Sequence, residues 1–314
     1  MTKIVMACCV LVAALSAFAQ DYPHKPIRLI APFAAGSGGD VLARLLAEGM
    51  GKHLQQSVYT ENRGGASGTI GTQAVAAAAP DGYTIGLGGM TTHVLAPTVF
   101  PKLAYDPVKS FAAIGRVGVS SIVLLATRDF PANNLAELAA LAKARPGQQY
   151  GSWGPASTGH FCGEVLNQHF GTKMAHVSFG SKVIPSLLGG HLQLSFIDMV
   201  SATPMVKDGK LKALAVCTRR SPSLPGVQSY AEQGVAFDHD MSWALYAPAA
   251  TPAAATARLA GALEATLKDP AVAERLLALG ITADFMPGSQ WAATVARAIP
   301  VWQKVARDSG IRVD

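Results

Sequence analysis

Short apolar runs alternate with amphipathic stretches along the first third of the chain. Ile27–Phe33 (IRLIAPF) is a mostly apolar run that predicts a buried strand, and Asp40–Leu54 carries its apolar residues on one helical face. Two further strands are predicted at Ser57–Asn62 (SVYTEN) and Tyr83–Gly89 (YTIGLGG), with an alanine-rich helix between them at Thr69–Ala79. The order β-α-β-α-β predicts a parallel sheet with helices on both faces.

A second series of the same kind begins at Ser121–Asp129 (SIVLLATRD). Asn133 or Asn134 is predicted to cap a helix that Pro146 and Gly147 stop. The elements predicted beyond it are a strand at Tyr150–Ser152, a helix from about Ser157 to Phe170, apolar runs at Met174–Phe179, Leu192–Asp198 and Leu211–Cys217, a short helix at Val183–Leu188, a strand at Trp243–Pro248 and a mostly helical remainder to Arg307.

This pattern predicts an α/β protein with two lobes. No low-complexity linker separates the two series, which favours lobes joined by crossing strands over two independent domains. We predict that residues 20–125 and 244–314 form the first lobe and residues 126–243 the second. Ligands of open α/β sheets bind at the carboxyl ends of the strands, so a cleft between the lobes is the predicted binding site.

The N-terminus has the features of a secretory signal peptide. Lys3 supplies a positive charge, Ile4–Leu15 is apolar, and Ala17-Phe18-Ala19 is an A-x-A cleavage site. A membrane anchor is the alternative, but the apolar run is shorter than the roughly 20 residues that a span needs. We therefore predict a signal peptide at residues 1–19 and a soluble, exported mature protein.

Composition and charge argue against nucleic acid as a partner. Among 314 residues, 26 Lys and Arg stand against 20 Asp and Glu, which gives a net charge of +6. No dense basic run is interleaved with aromatic residues, as nucleic-acid binding would require. A mildly basic surface is compatible with small anionic ligands.

Three glycine-rich turns follow predicted strands and open helices, at Pro32–Asp40, Gly88–His93 and Tyr150–His160 (YGSWGPASTGH). A helix N-terminus presents unpaired N–H groups and a positive dipole end, so each turn can hold an anion. None is a nucleotide motif, because Val41 stands where the dinucleotide fingerprint has its third glycine and no Gly-Lys-Ser/Thr occurs. No cofactor is expected.

Catalytic and metal sites have little support. Ser157 with His160 or His176 and Asp198 supplies the residue types of a hydrolase triad, but Pro155 occupies the first glycine position of the nucleophile elbow. No pair of histidines has the spacing of metal ligands, so no metal is expected.

Two cysteines remain after the predicted signal peptide. Cys162 and Cys217 can pair in an oxidising compartment or stay as buried thiols, and the sequence leaves both alternatives open.

The glycine-rich turns, in this order, resemble the Bug family, the periplasmic solute receptors of tripartite tricarboxylate transporters. The resemblance implies a two-lobed type II periplasmic-binding fold that closes on a small carboxylate, with the turns at Phe33–Asp40 and Ser152–His160 facing each other. It also implies membrane permease subunits as partners of a monomeric receptor. The segments that carry it are YPHKPIRLIAPFAAGSGGDVLARLLAE, ENRGGASGTIGTQAVAAAAPDGYTIGLGG, FPKLAYDPVKSFAAIGRV, YGSWGPASTGH, LLGGHLQLSFID and KLKALAV.

The chain departs from the family pattern at three places. Ala34 and Ala35 stand where two prolines are usual, and Trp153 replaces a small residue. The turn at Phe179–Ser181 is shortened and lacks the usual lysine, so no ligand contact is predicted from this loop.

These residues predict the character of the ligand. Ser157 and Thr158 would seat a carboxylate, and Trp153 would form a flat wall of the cleft or, alternatively, fill the core beneath it. With further ring surface from Phe33 and His93, we expect an aromatic mono- or dicarboxylate such as terephthalate, and an aliphatic di- or tricarboxylate as the alternative.

Asp40 is either a ligand contact or only a first-turn carboxylate favoured by the helix dipole. The predicted ligand-binding residues are Phe33, Ala34, Ser37, Asp40, Thr92, His93, Ser152, Trp153, Ser157, Thr158, His160 and Asp198.

Three functions remain open from the sequence. The first is a transport receptor that passes its ligand to a permease without chemistry. The second couples the same binding module to a sensor kinase, and the third is a secreted serine hydrolase that uses Ser157.

Overall fold

A computed structural model describes residues 22–100, 102–237, 241–308 and 310–311, so the predicted signal peptide lies outside the described residues. The strands are β1 (Ile27–Ala31), β2 (Val58–Asn62), β3 (Thr84–Gly89), β4 (Phe111–Ser120), β5 (Ile122–Ala126), β6 (Gln149–Ser152), β7 (Ala175–Ser178), β8 (Leu194–Asp198), β9 (Lys212–Val216), β10 (Met241–Pro248) and β11 (Thr282–Pro287). The α-helices are α1 (Gly38–Leu54), α2 (Thr69–Ala76), α3 (Ala96–Val99), α4 (Leu135–Ala144), α5 (Thr158–Phe170), α6 (Val183–Leu188), α7 (Met199–Lys207), α8 (Ala253–Lys268), α9 (Pro270–Ala278) and α10 (Gly288–Asp308).

Two mixed sheets form the centres of the two lobes. The first has the strand order β11-β4-β10-β3-β1-β2, and the second β7-β6-β8-β5-β9. The predicted parallel pairs are present where a helix joins the strands, in β1 with β2 and β3 and in β6 with β7 and β8. Strands β4, β5 and β10, which lie next to the crossings between the lobes, pair antiparallel with their neighbours.

Three helices each follow a strand, and their N-terminal caps lie in the same region of the molecule. Ser37, Ser157 and Asp198 cap α1, α5 and α7, and each side chain accepts a hydrogen bond from a backbone N–H of the first turn. These are the residue types that favour helix starts, because their side-chain oxygens replace missing intrahelical acceptors. The caps therefore fix where each turn ends and where its helix begins.

The chain crosses between the sheets earlier than the sequence suggested. Strand β4 ends in the first sheet at Ser120 and β5 starts in the second at Ile122, so the first crossing is at Ser121 rather than at residue 125. The chain is back in the first sheet at Met241, ahead of the predicted boundary at 244. Ser121 also accepts hydrogen bonds from the backbone N–H (3.2 Å) and hydroxyl (2.8 Å) of Thr218, which follows β9 of the second sheet.

The C-terminal helix α10 packs on both lobes rather than on the first alone. Trp291 donates an indole hydrogen bond to the Tyr246 hydroxyl of the first sheet at 2.7 Å. Further along the helix, the Trp302 ring packs edge-on against Phe161 of the second lobe, with ring centroids 5.4 Å apart. Both indoles are buried, so this helix adds apolar contact area across the lobe boundary.

Two strands and one covalent bond go beyond the sequence prediction. Strand β11 interrupts the region predicted to be mostly helical, and β4 lies in a segment to which no strand was assigned. Cys162 of α5 and Cys217 form a disulfide, which settles the alternative that the sequence left open.

Among the described residues, no helix combines the length and the apolar character needed to cross a membrane.

Candidate ligand-binding site

A cavity of about 680 Å³ lies between the lobes at the carboxyl ends of the strands. The glycine-rich turns at Phe33–Asp40 and Ser152–His160 both contribute to it, so they face each other as expected. The first lobe contributes Pro32, Phe33, Ala34, Ser37, Gly39, Gly64–Gly68, Gly88–Thr92, Phe100, Ser120 and Met241–Trp243, and the second contributes Trp153–Pro155, Ser157, Thr158, Ser178, Gly180, Ser181 and Asp198, with Ser121 and Ile122 at the crossing.

The cavity has almost no charge of its own. Within the described part of the chain, Asp198 is the only cavity-lining residue with an ionisable side chain. Helices α1, α5 and α7 nevertheless begin at the cavity, with their positive dipole ends towards it. An anion can therefore be neutralised here by helix N-termini without a lysine or arginine.

The turn of the first lobe is stabilised from behind by Asp40. Its carboxylate accepts from the Gly36 N–H (2.8 Å) and from Asn62 Nδ2 (3.0 Å), and it pairs with Arg44 at 2.9 Å. Burial opposes ionisation of Asp40, but these hydrogen bonds and the guanidinium outweigh it and lower its pKa. Asp40 does not line the cavity. Its contacts are to the turn, to β2 and to its own helix, which is the position of a first-turn carboxylate.

Two aromatic side chains of the first lobe line the cavity together. Phe33 packs edge-on against Trp243, with ring centroids 5.5 Å apart. Phe33 was predicted from the sequence and Trp243 was not. The signal that could have found Trp243 is its place at the first residue of the run WALYAP, next to the predicted crossing.

His93 does not contribute ring surface to the cavity, contrary to the expectation. Its imidazole is buried and stacks on Tyr246 at a centroid distance of 3.6 Å, with Phe111 packed edge-on against it. The preceding Thr92 does line the cavity, and its hydroxyl bonds to His93 Nδ1 at 2.9 Å. Neighbouring residues of the helical turn Met90–Leu95 point in different directions, so only one of the two reaches the cleft.

The hydroxyl of Ser157 is used inside the turn of the second lobe. Ser157 Oγ donates to the Gly154 carbonyl at 2.6 Å and accepts from the His160 N–H at 3.4 Å, and the residue is only 2% exposed. The neighbouring Thr158 also lines the cavity, and its hydroxyl makes no hydrogen bond to any residue that the structure describes. The Thr158 hydroxyl is therefore available to a ligand, whereas the Ser157 hydroxyl is engaged within the turn.

Trp153 combines the two roles that the sequence offered as alternatives. It lines the cavity, and part of its ring packs on the apolar residues of the second lobe. Its indole Nε1 donates to Asp198 Oδ2 at 3.1 Å, while Asp198 Oδ1 accepts from the Ser201 N–H at 2.9 Å. Burial raises the pKa of Asp198, and these hydrogen bonds offset only part of that effect.

Ser152 and His160 lie beneath the turn and not on the cavity surface. Ser157 Oγ is hydrogen-bonded to Ser152 Oγ (3.0 Å) and not to an imidazole, so the nucleophile–base contact of a hydrolase triad is missing. No group of three or more His, Cys, Asp or Glu side chains that could hold a metal ion occurs among residues with described positions.

The lobes touch each other at both sides of the cavity. At one side, the N–H of Gly38 at the start of α1 donates to Ser201 Oγ of α7 at 3.2 Å. At the other, Ser67 Oγ donates to the Pro155 carbonyl at 2.6 Å. The cavity is therefore enclosed by contacts that depend on the relative position of the two lobes.

Comparison with known proteins identifies the family. Residues 42–310 match the sequence model of the tripartite tricarboxylate transporter family receptors. The chain belongs to this family. Its structure is similar to that of the periplasmic binding protein BugD (33% identity, 93% of this chain and 99% of that chain, TM-score 0.88). It is also similar to MatC from Rhodopseudomonas palustris with bound malate (31% identity, 90% of this chain and 99% of that chain, TM-score 0.85). A third similar structure is an R. palustris protein with adipate (28% identity, 93% of this chain and 99% of that chain, TM-score 0.89).

Family membership confirms the resemblance that the glycine-rich turns indicated and the two-lobed α/β fold. The family consists of solute-binding receptors, so the chain is a receptor and not an enzyme. The serine hydrolase alternative is therefore wrong, in agreement with the position of Ser157 inside its turn.

Proposed function

We propose that this chain is a periplasmic receptor that captures a small carboxylate between its lobes and delivers it to the permease subunits of a tripartite tricarboxylate transporter. The observation that carries the proposal is a cavity with three helix N-termini and no lysine, arginine or histidine among its described lining residues. Such a cavity binds an anion through N–H groups and hydroxyls. Structural relatives with bound malate and adipate support the carboxylate class.

An aromatic mono- or dicarboxylate, such as terephthalate, fits the cavity surface best. Phe33, Phe100, Trp153 and Trp243 all line it, together with Ile122, Met90 and Met241. Flat apolar walls gain both apolar burial and ring–ring contact from an aromatic ligand. The carboxylate would lie at the start of α5, where Thr158 and the first N–H groups of the helix are available.

An aliphatic dicarboxylate is the second candidate. Malate and adipate, bound by two structural relatives, belong to this class. Both candidates would bind one carboxylate at Thr158 and the N-terminus of α5, which we call the carboxylate seat. They differ in the contacts made by the rest of the ligand. The choice therefore depends on the aromatic walls and not on the turns.

A thermal-shift screen followed by calorimetry tests the proposal. The panel should contain terephthalate, benzoate, nicotinate, adipate, malate and citrate. A ligand present at 100 times its Kd stabilises the folded protein by about 2.7 kcal/mol, which is easily detected. If no carboxylate of the panel raises the melting temperature, the proposed ligand class is wrong.

Thr158 provides a matched test of the seat. Thr158→Val removes the hydroxyl at nearly constant shape, whereas Thr158→Ser keeps it. We expect the valine variant to weaken every bound carboxylate by about 0.5–1.5 kcal/mol, and the serine variant to bind nearly as tightly as the wild type. Equal losses in the two variants would mean that the hydroxyl does not contact the ligand.

A further inference from the structure

Two histidines beneath the second-lobe turn form a stacked pair. The imidazoles of His160, on α5, and His176, on β7, are nearly parallel at 14°, with centroids 3.8 Å apart. His160 is buried, while His176 is partly accessible at the edge of the second sheet. Neither lines the cavity. The pair is therefore outside the ligand seat but directly behind the turn that forms it.

Each imidazole is bonded to one end of that turn. His176 Nε2 lies 2.6 Å from Ser152 Oγ, and Ser152 Oγ in turn accepts from the Gly154 N–H at 3.1 Å. His160 Nδ1 accepts from the Ala156 N–H at 3.4 Å. The two rings thus hold the backbone on both sides of Pro155, which lines the cavity.

The turn needs such support because its conformation is unfavourable. Ala156 has φ of +59°, in the left-handed region that residues other than glycine rarely adopt. A residue in this region persists only when the surrounding structure holds it there. The bond from its N–H to His160 is a contact of this kind, and the next two residues are Ser157 and Thr158 at the start of α5.

We propose that His160 and His176 are positioning residues of the receptor: as a neutral stacked pair they hold the turn Ser152–Ser157 in the geometry that presents Thr158 and the N-terminus of α5 to the ligand. This inference rests on the proposed function, because it assigns to the pair a role at the same carboxylate seat. Neither histidine touches the ligand in this proposal.

The pair works only in its neutral form. A protonated His160 carries a hydrogen on Nδ1 and cannot accept the Ala156 N–H, and two cations at this separation repel each other. Burial lowers the pKa of His160 to about 3, with a further contribution from His176, and burial lowers the pKa of His176 to about 4.

The neighbouring titratable groups leave the pair neutral. The Tyr150 ring on β6 lies 5.3 Å from the His176 ring, and the Tyr150 hydroxyl donates to Glu164 on α5 at 2.6 Å. Burial raises the pKa values of Tyr150 and Tyr230, so both tyrosines stay neutral. The Glu164 carboxylate also accepts from Asn167 Nδ2 at 3.2 Å, so it is engaged by Tyr150 and Asn167.

The sign of the pH dependence follows from these shifts. Above the ordinary histidine pKa of 6.5, both the ordered and the disordered turn have neutral imidazoles, and pH does not favour either. Below it, a disordered turn takes up protons that the ordered turn resists down to about pH 4. Acidification over this range therefore favours disorder of the turn and lowers the affinity for the ligand.

Hydrogen exchange on the full-length mature protein, without ligand, tests the positioning role. We compare wild type, His176→Ala, His176→Gln and, as a control on the same helix as His160, the exposed His169→Gln. His176→Ala should speed exchange of the turn amides by about tenfold, whereas exchange in α1 of the first lobe stays unchanged. His176→Gln, which can still bond to Ser152, should restore most of the protection, and His169→Gln should match the wild type.

Calorimetry with terephthalate and adipate between pH 5 and pH 8 supplies the second readout. The wild-type affinity should fall as the pH is lowered, and His176→Gln should show a smaller fall. Unchanged turn exchange in His176→Ala, or the same pH profile in wild type and His176→Gln, would refute the positioning role. If neither probe binds the wild type, the carboxylate proposal fails, and the exchange experiment still decides whether the pair orders the turn.

Discussion

The indole of Trp153 is held by Asp198, because Nε1 donates to the carboxylate at 3.1 Å. Asp198 is itself fixed as the cap of α7 through the Ser201 N–H. The ring therefore has a defined orientation at the cavity wall before any ligand arrives. A preorganised wall costs little side-chain entropy on binding, which favours a rigid, flat ligand.

Replacement of Trp153 should separate aromatic from aliphatic ligands. We expect Trp153→Ala to weaken aromatic carboxylates by about 1–3 kcal/mol through lost stacking and apolar burial, and to affect aliphatic carboxylates less. Trp153→Phe keeps a ring without the bond to Asp198 and should lie between the two. Calorimetry with terephthalate and adipate measures the difference. Equal losses for the two ligands would remove the main support for an aromatic substrate.

Gly38 should be required for closure of the lobes. A Cβ at this position would lie 2.5 Å from Asp198 Oδ1 and 2.8 Å from Ser201 Oγ and Val200 Cβ, all of which belong to the second lobe. We expect Gly38→Ala to weaken ligand binding by at least about tenfold, because it disfavours the closed state, without destabilising the ligand-free fold. X-ray scattering should show less compaction on ligand addition than in the wild type.

Gly261 provides the control for this substitution. It lies within α8, and a Cβ there would meet no atom within 4 Å. Gly261→Ala should raise the free energy of unfolding by about 0.5–1 kcal/mol through helix propensity and leave closure unaffected. Normal affinity and full compaction in Gly38→Ala would contradict the assignment of this contact to closure.

Ionisation of Asp198 should lower the free energy of unfolding as the pH rises. Its pKa is raised by burial above the ordinary value of 3.8, so the folded protein holds this proton more tightly than the unfolded chain. Ionisation therefore costs stability as the pH rises from the unfolded pKa through the folded one. Asp198→Asn keeps an N-cap residue and removes the charge. The unfolding free energy of this variant, relative to that of the wild type, should therefore be higher at pH 7 than at pH 4. Urea titrations at the two pH values measure the unfolding free energies of both proteins. The prediction is contradicted if the difference between variant and wild type does not increase from pH 4 to pH 7.

The disulfide should stabilise the second lobe without affecting the ligand. Cys162 and Cys217 are 55 residues apart in the chain, and neither lines the cavity. Replacement of both by alanine should lower the free energy of unfolding by about 2–4 kcal/mol, because the unfolded chain regains the freedom of a long loop. Affinities at low temperature should be unchanged. A large loss of affinity in the folded variant would show that the bond also shapes the cleft.

Sequence periodicity was sufficient for the elements that bury a continuous apolar face. Strand β1 and helix α1 lie where their apolar patterns placed them, and Asn134, one of the two predicted caps, caps α4. Strand β11 was missed because none of its residues is fully buried at the edge of the first sheet, so they carry no strong apolar pattern.

The site could be predicted as turns but not as side-chain directions. Thr92 and His93 are adjacent in the sequence, yet one faces the cavity and the other stacks on Tyr246, a contact 153 residues away in the chain that no local pattern encodes. The same holds for Ser157 and Thr158, where the bond from Ser157 Oγ to the Gly154 carbonyl engages one hydroxyl and the other stays free for a ligand. Trp243 enters the site through strand pairing with Gly89, a long-range contact.

The four tryptophans of the chain are divided between two environments. Trp153 and Trp243 border the cavity, whereas Trp291 and Trp302 of the C-terminal helix are each only 1% exposed. A ligand that enters the cleft changes the polarity around the first two indoles and leaves the other two shielded. Intrinsic fluorescence of the unlabelled receptor therefore contains a responsive component and a constant internal reference. A Trp291→Phe, Trp302→Phe double variant would isolate the responsive emission and turn the protein into its own optical probe.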